Sequence, residues 1–398
     1  RIPAFSELVP TVVGSGSMLS AQAYENSEVL NGPQFLQPTK IFKTFAGNKL
    51  ECDLYEEMRG LKTVSFDYEV NGGTLEEGLF QLFDFSLDAC GFLSLEVVAE
   101  KDSVFYVLFD EILRDSDVDP FRLNCLNCVK YVCEQGTYRT LTLEPYTLRY
   151  AKIFCAAGRI RVERFCLKEV ANPAVKGAKF SFADEKLEKI YRAALNTFAY
   201  NCVDIFMDCP SRERAGWLCD SYFSAQAERL FTGRNEIEKR FLENYILADV
   251  PEIEKGMLPD CFPAQHHDHA YIPNWAMWFV LELYDYFLRT SDREIVDRAK
   301  EKVYGVVDFF TPFLNEYGLL ENLRGWIFLE WSVSSDAAYV SGVNFPSNML
   351  YALMLETVDK LYGDPELSEQ ARRVRGQILR LSYDGKFFAD NALRHLLK

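Results

Sequence analysis

Thirteen residues near the middle of the chain, Asp208-Cys-Pro-Ser-Arg-Glu-Arg-Ala-Gly-Trp-Leu-Cys-Asp220, set three carboxylates, two arginines and a tryptophan around a Pro and a Gly. Clustered carboxylates repel one another and gain little by staying together, so a purely structural loop has small use for the mixture. Cleavage of a glycosidic bond does use it. One carboxylic acid protonates the leaving oxygen, further carboxylates bind hydroxyls, and an aromatic face meets the sugar ring. Asp208, Glu213 and Asp220 could supply the acids and Trp217 the ring. The competing reading is a helix-to-helix connection whose acids cap helix ends and pair with Arg212 and Arg214.

The string Asp208-Cys209-Pro210-Ser211-Arg212-Glu213-Arg214, followed by Gly216-Trp217 and then Asp220, resembles the signature of the bacterial α-L-rhamnosidases of glycoside hydrolase family seventy-eight. That resemblance implies β-sandwich domains leading into an (α/α)6 helical barrel, and removal of terminal α-L-rhamnose with inversion. It also implies roles: Glu213 as general acid, Asp208 and Asp220 as binders of rhamnose hydroxyls, Trp217 as a pocket wall. Arg212 is expected to orient the acids by bidentate pairing. Many members read Arg-Asp-Glu-Arg and place Gly before the closing Asp; this chain has Arg212-Glu213-Arg214 and Cys219.

Two more segments resemble pocket-lining stretches of the family: Pro273-Asn274-Trp275, and Gly325-Trp326 ahead of Glu330-Trp331. They put Trp275 and Trp326 at the sugar, where a tryptophan wall suits the apolar edge of a 6-deoxy ring. A tryptophan in a helical bundle is otherwise core, and Trp331 competes with Trp326 for the role. Glu330 stands where family members usually show an Asp that binds or supports. The general base of the family is a Glu far downstream of the acid, and no residue of this chain matches it. The base is therefore expected outside these residues, and the chain is expected to be an incomplete catalytic unit.

No metal or other cofactor is expected, because two carboxyls and a water suffice for inversion. His266-His267-Asp268-His269 holds three of the four histidines. Between Pro263 and Pro273 it reads as a loop, without the i, i+4 geometry of helical zinc sites. Cys125-x-x-Cys128 with Cys133 lacks a second such pair and a nearby histidine, so buried free thiols are the better reading of the eleven cysteines. Two rival functions stay open: an (α/α)6 glycosidase for another sugar, and a carbohydrate-binding relative without catalysis.

A net charge of −16 argues against nucleic acid and anionic membranes, which select basic patches, and is compatible with a neutral carbohydrate substrate. No run of 18 apolar residues is present, so no membrane-spanning helix is expected. Homo-oligomerisation is left open. For compartment, the periplasm or the cell exterior is favoured over the cytoplasm. The start at Arg1, without a signal peptide, reads as processed or trimmed.

At 398 residues the chain exceeds one ordinary domain. Residues 1–45 read as an irregular lead-in, part of an upstream domain. Residues 46–172 read as an antiparallel β-sandwich. Leu93, Leu95 and Val97 alternate with smaller or polar residues, Val104 to Phe109 is a short apolar run, and Thr137 to Leu143 and Ile160 to Val162 alternate again. Phe83-Asp84-Phe85 ahead of Gly91, and Glu144-Pro145-Tyr146 leading to Arg149-Tyr150, resemble the β-domain beside the rhamnosidase barrel.

Pro173 and Gly177 mark a boundary, and residues 173–398 turn to helical periodicity, read as a partial (α/α)6 barrel. Leu187, Ile190, Tyr191, Ala194, Leu195 and Phe198 share one face. Ser291-x-x-Glu294 reads as a capping box opening a helix whose buried stripe is Ile295, Ala299, Val303, Val306, Val307 and Phe310. Pro346 opens the next helix, Gly363 closes it and Asp364-Pro365 starts the last. About seven helices result where a twelve-helix barrel is implied. An open edge exposing apolar faces such as Ile295, Val303 and Phe310, or their neighbours, is the expected consequence.

Overall fold

A computed structural model describes residues 6–20, 54, 57, 58, 61–67, 73–177, 180–211, 213–264 and 270–391. The chain divides into two compact units, residues 1–171 with 210–212, and residues 172–209 with 213–398. Antiparallel β-structure makes up the first and helices the second, in the order that the sequence implies.

The first unit is built on one long strand, β5 (Leu79–Ala99). Its first half pairs with β2 (Thr11–Ser20) and its second half with β12 (Arg159–Glu169) and β10 (Gly136–Leu141). β11 (Tyr146–Ala157) pairs with parts of both halves. Between the halves Ser86 takes a positive φ of 62°. Leu93, Leu95 and Val97 are buried while Ser94 and Glu96 between them are not, as period-two alternation requires when one face meets a core. β6 (Ser103–Asp110) lies between β11 and β9 (Cys128–Cys133) and is buried along nearly its whole length, which its unbroken apolar run anticipates.

Within the first 45 residues, β1 (Glu7–Leu8) pairs with β12, and β2 pairs with β5 and with β3 (Leu61–Asp67). β4 (Thr74–Glu76) adds to β12, and β7 (Leu113–Arg114) and β8 (Asp117–Val118) form a small separate ladder. The two segments that resemble the family's β-domain meet. Arg149 donates from Nε and Nη2 to the two oxygens of Asp84 at 2.9 and 3.0 Å. This pairing holds the Asp84 carboxyl below its usual range.

The second unit opens with a 3-10 turn at Pro173–Gly177. It then runs α1 (Glu185–Asn201), α2 (Asp220–Thr232), α3 (Glu236–Leu247), α4 (Pro273–Thr290), α5 (Arg293–Phe310), the single turn α6 (Ala337–Val340), α7 (Phe345–Tyr362) and α8 (Pro365–Ser382). α4 is apolar on nearly every face because α2, α3, α5 and α7 all pack on it. α7 and α8 form a tight hairpin, closed by Gly363 and reopened by Pro365. Glu228 of α2 is buried and accepts from the Ile237 and Glu238 N–H groups at 2.9 and 3.0 Å, so it caps α3 from a neighbouring helix.

Three expectations change. The cap of α5 is Asp292, whose side chain accepts from the Ile295 N–H, while Ser291 takes a left-handed conformation that ends α4. Ile295, Val303 and Phe310 are fully buried, as the stripe reading of α5 has it and not as an open edge at these residues would, because α5 turns that stripe into the core of the unit. Apolar exposure falls instead on α1, where Leu187 and Ile190 are 49% and 65% exposed and only the Phe198 end reaches the core. The described cysteines are all free thiols. No described helix is long and apolar enough to cross a membrane.

Candidate active site

The motif occupies the connection between α1 and α2, and its geometry follows from how that connection is tied down. Asn201, at the end of α1, donates from Nδ2 to the Asp208 carbonyl at 3.0 Å. Asp208 and Ala215 then bond each other: the Asp208 N–H donates to the Ala215 carbonyl, and the Ala215 N–H donates to Asp208 Oδ1, both at 3.3 Å. The loop is thereby closed at its neck with Glu213 inside it.

Beyond the neck the chain runs antiparallel to residues 260–263. Gly216 donates to the Pro263 carbonyl at 3.1 Å and accepts from the Phe262 N–H at 2.9 Å, Trp217 bridges Cys261, and the Leu218 N–H donates to the Asp260 carbonyl at 3.1 Å. The fully buried Tyr245 adds its hydroxyl to the Gly216 carbonyl at 2.7 Å. A Cβ at position 216 would stand 2.6 Å from the Phe262 carbonyl oxygen, so only glycine fits.

This frame places the acids and the ring. The Trp217 indole N–H donates to Glu213 Oε2 at 2.9 Å. The Glu213 backbone N–H donates to the Cys209 sulfur at 3.4 Å, and the Cys209 thiol in turn bonds the Asp208 carboxylate. Asp220 is the first residue of α2, where the helix dipole favours a negative group. Its carboxyl is nonetheless pushed up to about 6, first by the loss of hydration among packed neighbours, then by Asp208 and Glu213. The residue as a whole stays exposed, so this crowding is local to the acid group. Asp208 is raised too, by burial and then, among the charges, by Glu213. Three carboxyls gathered beside an indole, two of them raised by burial and by their neighbours, form the grouping that acid-assisted transfer at a sugar oxygen requires.

An aromatic series leads away from the acid. Trp217 meets Trp275 edge-on at 5.5 Å, Trp275 meets Phe328 at 5.6 Å, and Phe328 meets both Trp326 at 5.3 Å and Trp331 at 5.0 Å. The structure thus gathers Asp208, Glu213, Trp217, Asp220 and Trp275. Among the described residues Trp326 joins through Phe328, and it is 44% exposed. Glu330 is exposed. Arg212 and the His266–His269 stretch lie outside the described residues. Sequence reasoning passed over Cys209, Tyr245 and Phe328. The thiol sits inside the motif and was available; the other two are ordinary core aromatics in sequence and gain meaning only from their neighbours.

The family model of the bacterial α-L-rhamnosidase six-hairpin glycosidase domain matches residues 176–375. The chain belongs to that family. An α-L-rhamnosidase of Formosa agariphila is 21% identical over 271 residues, covering 63% of this chain and 28% of that protein. The chain therefore spans little more than a quarter of that relative's length. Among solved structures, a family 78 rhamnosidase of Bacillus sp. GL1 has a TM-score of 0.69 at 20% identity, over 78% of this chain and 33% of that one. A rhamnosidase from Klebsiella oxytoca with rhamnose bound also reaches 0.69, at 17% identity, over 99% of this chain and 74% of that one. At such identities the likeness is one of fold.

Proposed function

We propose that the chain carries the acid half of the active site of an inverting α-L-rhamnosidase, acting on terminal α-L-rhamnose of a glycoside or polysaccharide. The observation that carries this reading is the Trp217–Glu213 hydrogen bond beside two carboxyls, Asp208 and Asp220, that burial and neighbouring charge raise. An indole N–H can only donate, so it fixes Glu213 Oε2 as an acceptor. A proton to be transferred then sits on Oε1, which serves the glycosidic oxygen. Asp208 and Asp220 accept from rhamnose hydroxyls, and the Trp217–Trp275 corner provides an apolar wall for the sugar's methyl edge. Arg212 is assigned the pairing that orients these acids. Attack by water from the opposite face requires a second carboxylate as base, some 6.5–9.5 Å (roughly) from the acid; we assign it to none of these residues.

The test is turnover by the intact protein on a panel of aryl glycosides. Release of aglycone from the α-L-rhamnoside alone, with β-L-rhamnose as first product, supports the reading. Release from another glycoside instead points to a different (α/α)6 glycosidase, and rhamnose binding without any turnover points to a carbohydrate-binding relative.

A further inference from the structure

Behind the first turn of α2 lies a buried acid to which the chemistry above gives no task. Glu282, in the middle of α4, is fully buried and accepts from Ser221 Oγ at 2.5 Å. Ser221 is itself fully buried, directly follows Asp220, and donates its backbone N–H to the Trp217 carbonyl at 3.3 Å. One serine therefore ties together the helix start that bears Asp220, the backbone of Trp217 and the side chain of Glu282. The other carboxyl oxygen of Glu282, Oε1, has no hydrogen-bond partner among the described residues.

The charges around Glu282 do not compensate an anion. Glu238 of α3 and Asp285 of α4 oppose its ionisation, and Arg289 favours it but is ion-paired with Glu238. Tyr245 of α3 and Cys219 ahead of α2 are the other titratable groups facing it. Burial, followed by Glu238, pushes the Glu282 carboxyl well above the ordinary range. A neutral acid tolerates one bare oxygen far better than a carboxylate would. An apolar side chain of similar size would fill the same space at less cost. What the carboxyl adds is a fixed point for Ser221.

We propose that Glu282 is a positioning residue: through Ser221 it sets the first turn of α2 against α4 and so aims Asp220 at the sugar. α4 also carries Trp275, so a single helix sets both the polar and the apolar wall. The proposal rests on the reading of Asp220 as a rhamnose-binding group.

In the intact protein, KM and kcat for an aryl α-L-rhamnoside are compared in wild type, Glu282→Leu and Glu282→Gln, with thermal melts to confirm folding. Loss of the Ser221 tether should raise KM about five- to tenfold in Glu282→Leu, the worth of one hydrogen bond, while kcat stays within about threefold. Glu282→Gln still accepts from Ser221 and should restore KM to within about twofold of wild type. In an Asp220→Asn background the leucine change should add less than about twofold, because both act on one contact. A merely structural loss lowers the folded fraction and the apparent kcat, and leaves KM where it was. If Glu282→Leu does not fold, Ser221→Ala must show the same KM rise and the same non-additivity. An unchanged KM in a folded leucine or alanine variant, or full additivity with Asp220→Asn, overturns the proposal. A wild-type protein that turns over no α-L-rhamnoside overturns the rhamnosidase reading, and this one with it.

Discussion

Replacing Trp217 by Phe removes one atom group of consequence, the indole N–H that donates to Glu213 Oε2 at 2.9 Å. The phenyl ring can keep the edge-on contact with Trp275, whose centroid lies 5.5 Å from that of Trp217. A hydrogen bond to a half-buried carboxyl falls between the neutral and the charged case, about 1–2 kcal/mol. If it orients the proton donor in the transition state, kcat should fall by about five- to thirtyfold, at 1.36 kcal/mol per decade. The loss should be largest for poor leaving groups, which need the donor most. KM should change little. Trp217→Ala deletes the wall as well, and should weaken rhamnose binding by a further ~1–3 kcal/mol. The assay is steady-state kinetics on two aryl α-L-rhamnosides of unlike leaving-group acidity, with melting temperatures recorded in parallel. A Phe variant within twofold of wild type on the poorer leaving group would refute the role given to the indole. For Trp217→Ala, a sharp loss of thermal stability with rhamnose affinity unchanged would refute the wall and make Trp217 a core residue.

Further outcomes follow from the same contacts. Gly216→Ala drives a Cβ to 2.6 Å from the Phe262 carbonyl and should cost about 1–3 kcal/mol in urea unfolding, whereas Gly376→Ala, exposed inside α8 with nothing within 4 Å, should gain about 0.5–1 kcal/mol. Asp220, at about 6, should be the group whose protonation raises KM as pH falls through that value, since a charged acceptor binds hydroxyls more strongly; Asp220→Asn should abolish this dependence. Glu282, raised in the fold, holds its proton where the unfolded chain releases it, so its contribution is present at low pH and lost as pH rises above the ordinary glutamate range. Glu282→Gln should therefore melt above wild type at pH 8 and level with it near pH 4; the same difference at both values would contradict this.

How far the sequence could be read depended on whether the deciding neighbour was local. Leu93, Leu95 and Val97 were legible because β5 has one buried face over that stretch. Thr137 to Leu143 showed the same alternation, yet β10 runs only Gly136–Leu141, and both Leu141 and Leu143 are exposed. Pro365 and Gly363 punctuate helices through their own backbone preferences and were read correctly. Ser291 and Asp292 are both sound caps in isolation; the left-handed turn at Ser291, set by how α4 meets α5, chose the second. In the site, residue types advertised the chemistry, since carboxylates, a tryptophan and a glycine in thirteen positions are a rare mixture. The reasons behind those types were not local. Gly216 is required by Phe262, Trp217 is held over Glu213 by a ladder to residues 260–263, and Glu282 reaches Ser221 from another helix.

The central claim is that Glu213 donates the proton, and leaving-group dependence tests it most directly. In the intact protein, Glu213→Gln and wild type are compared across aryl α-L-rhamnosides from activated to poor leaving groups. Loss of general-acid help should cut kcat by about 10²–10⁴ on the poorest leaving group and shrink towards wild type on the most activated, with the fold intact by thermal melt. An equal loss across the series, or none, would contradict the assignment and remove Glu213 from the chemistry.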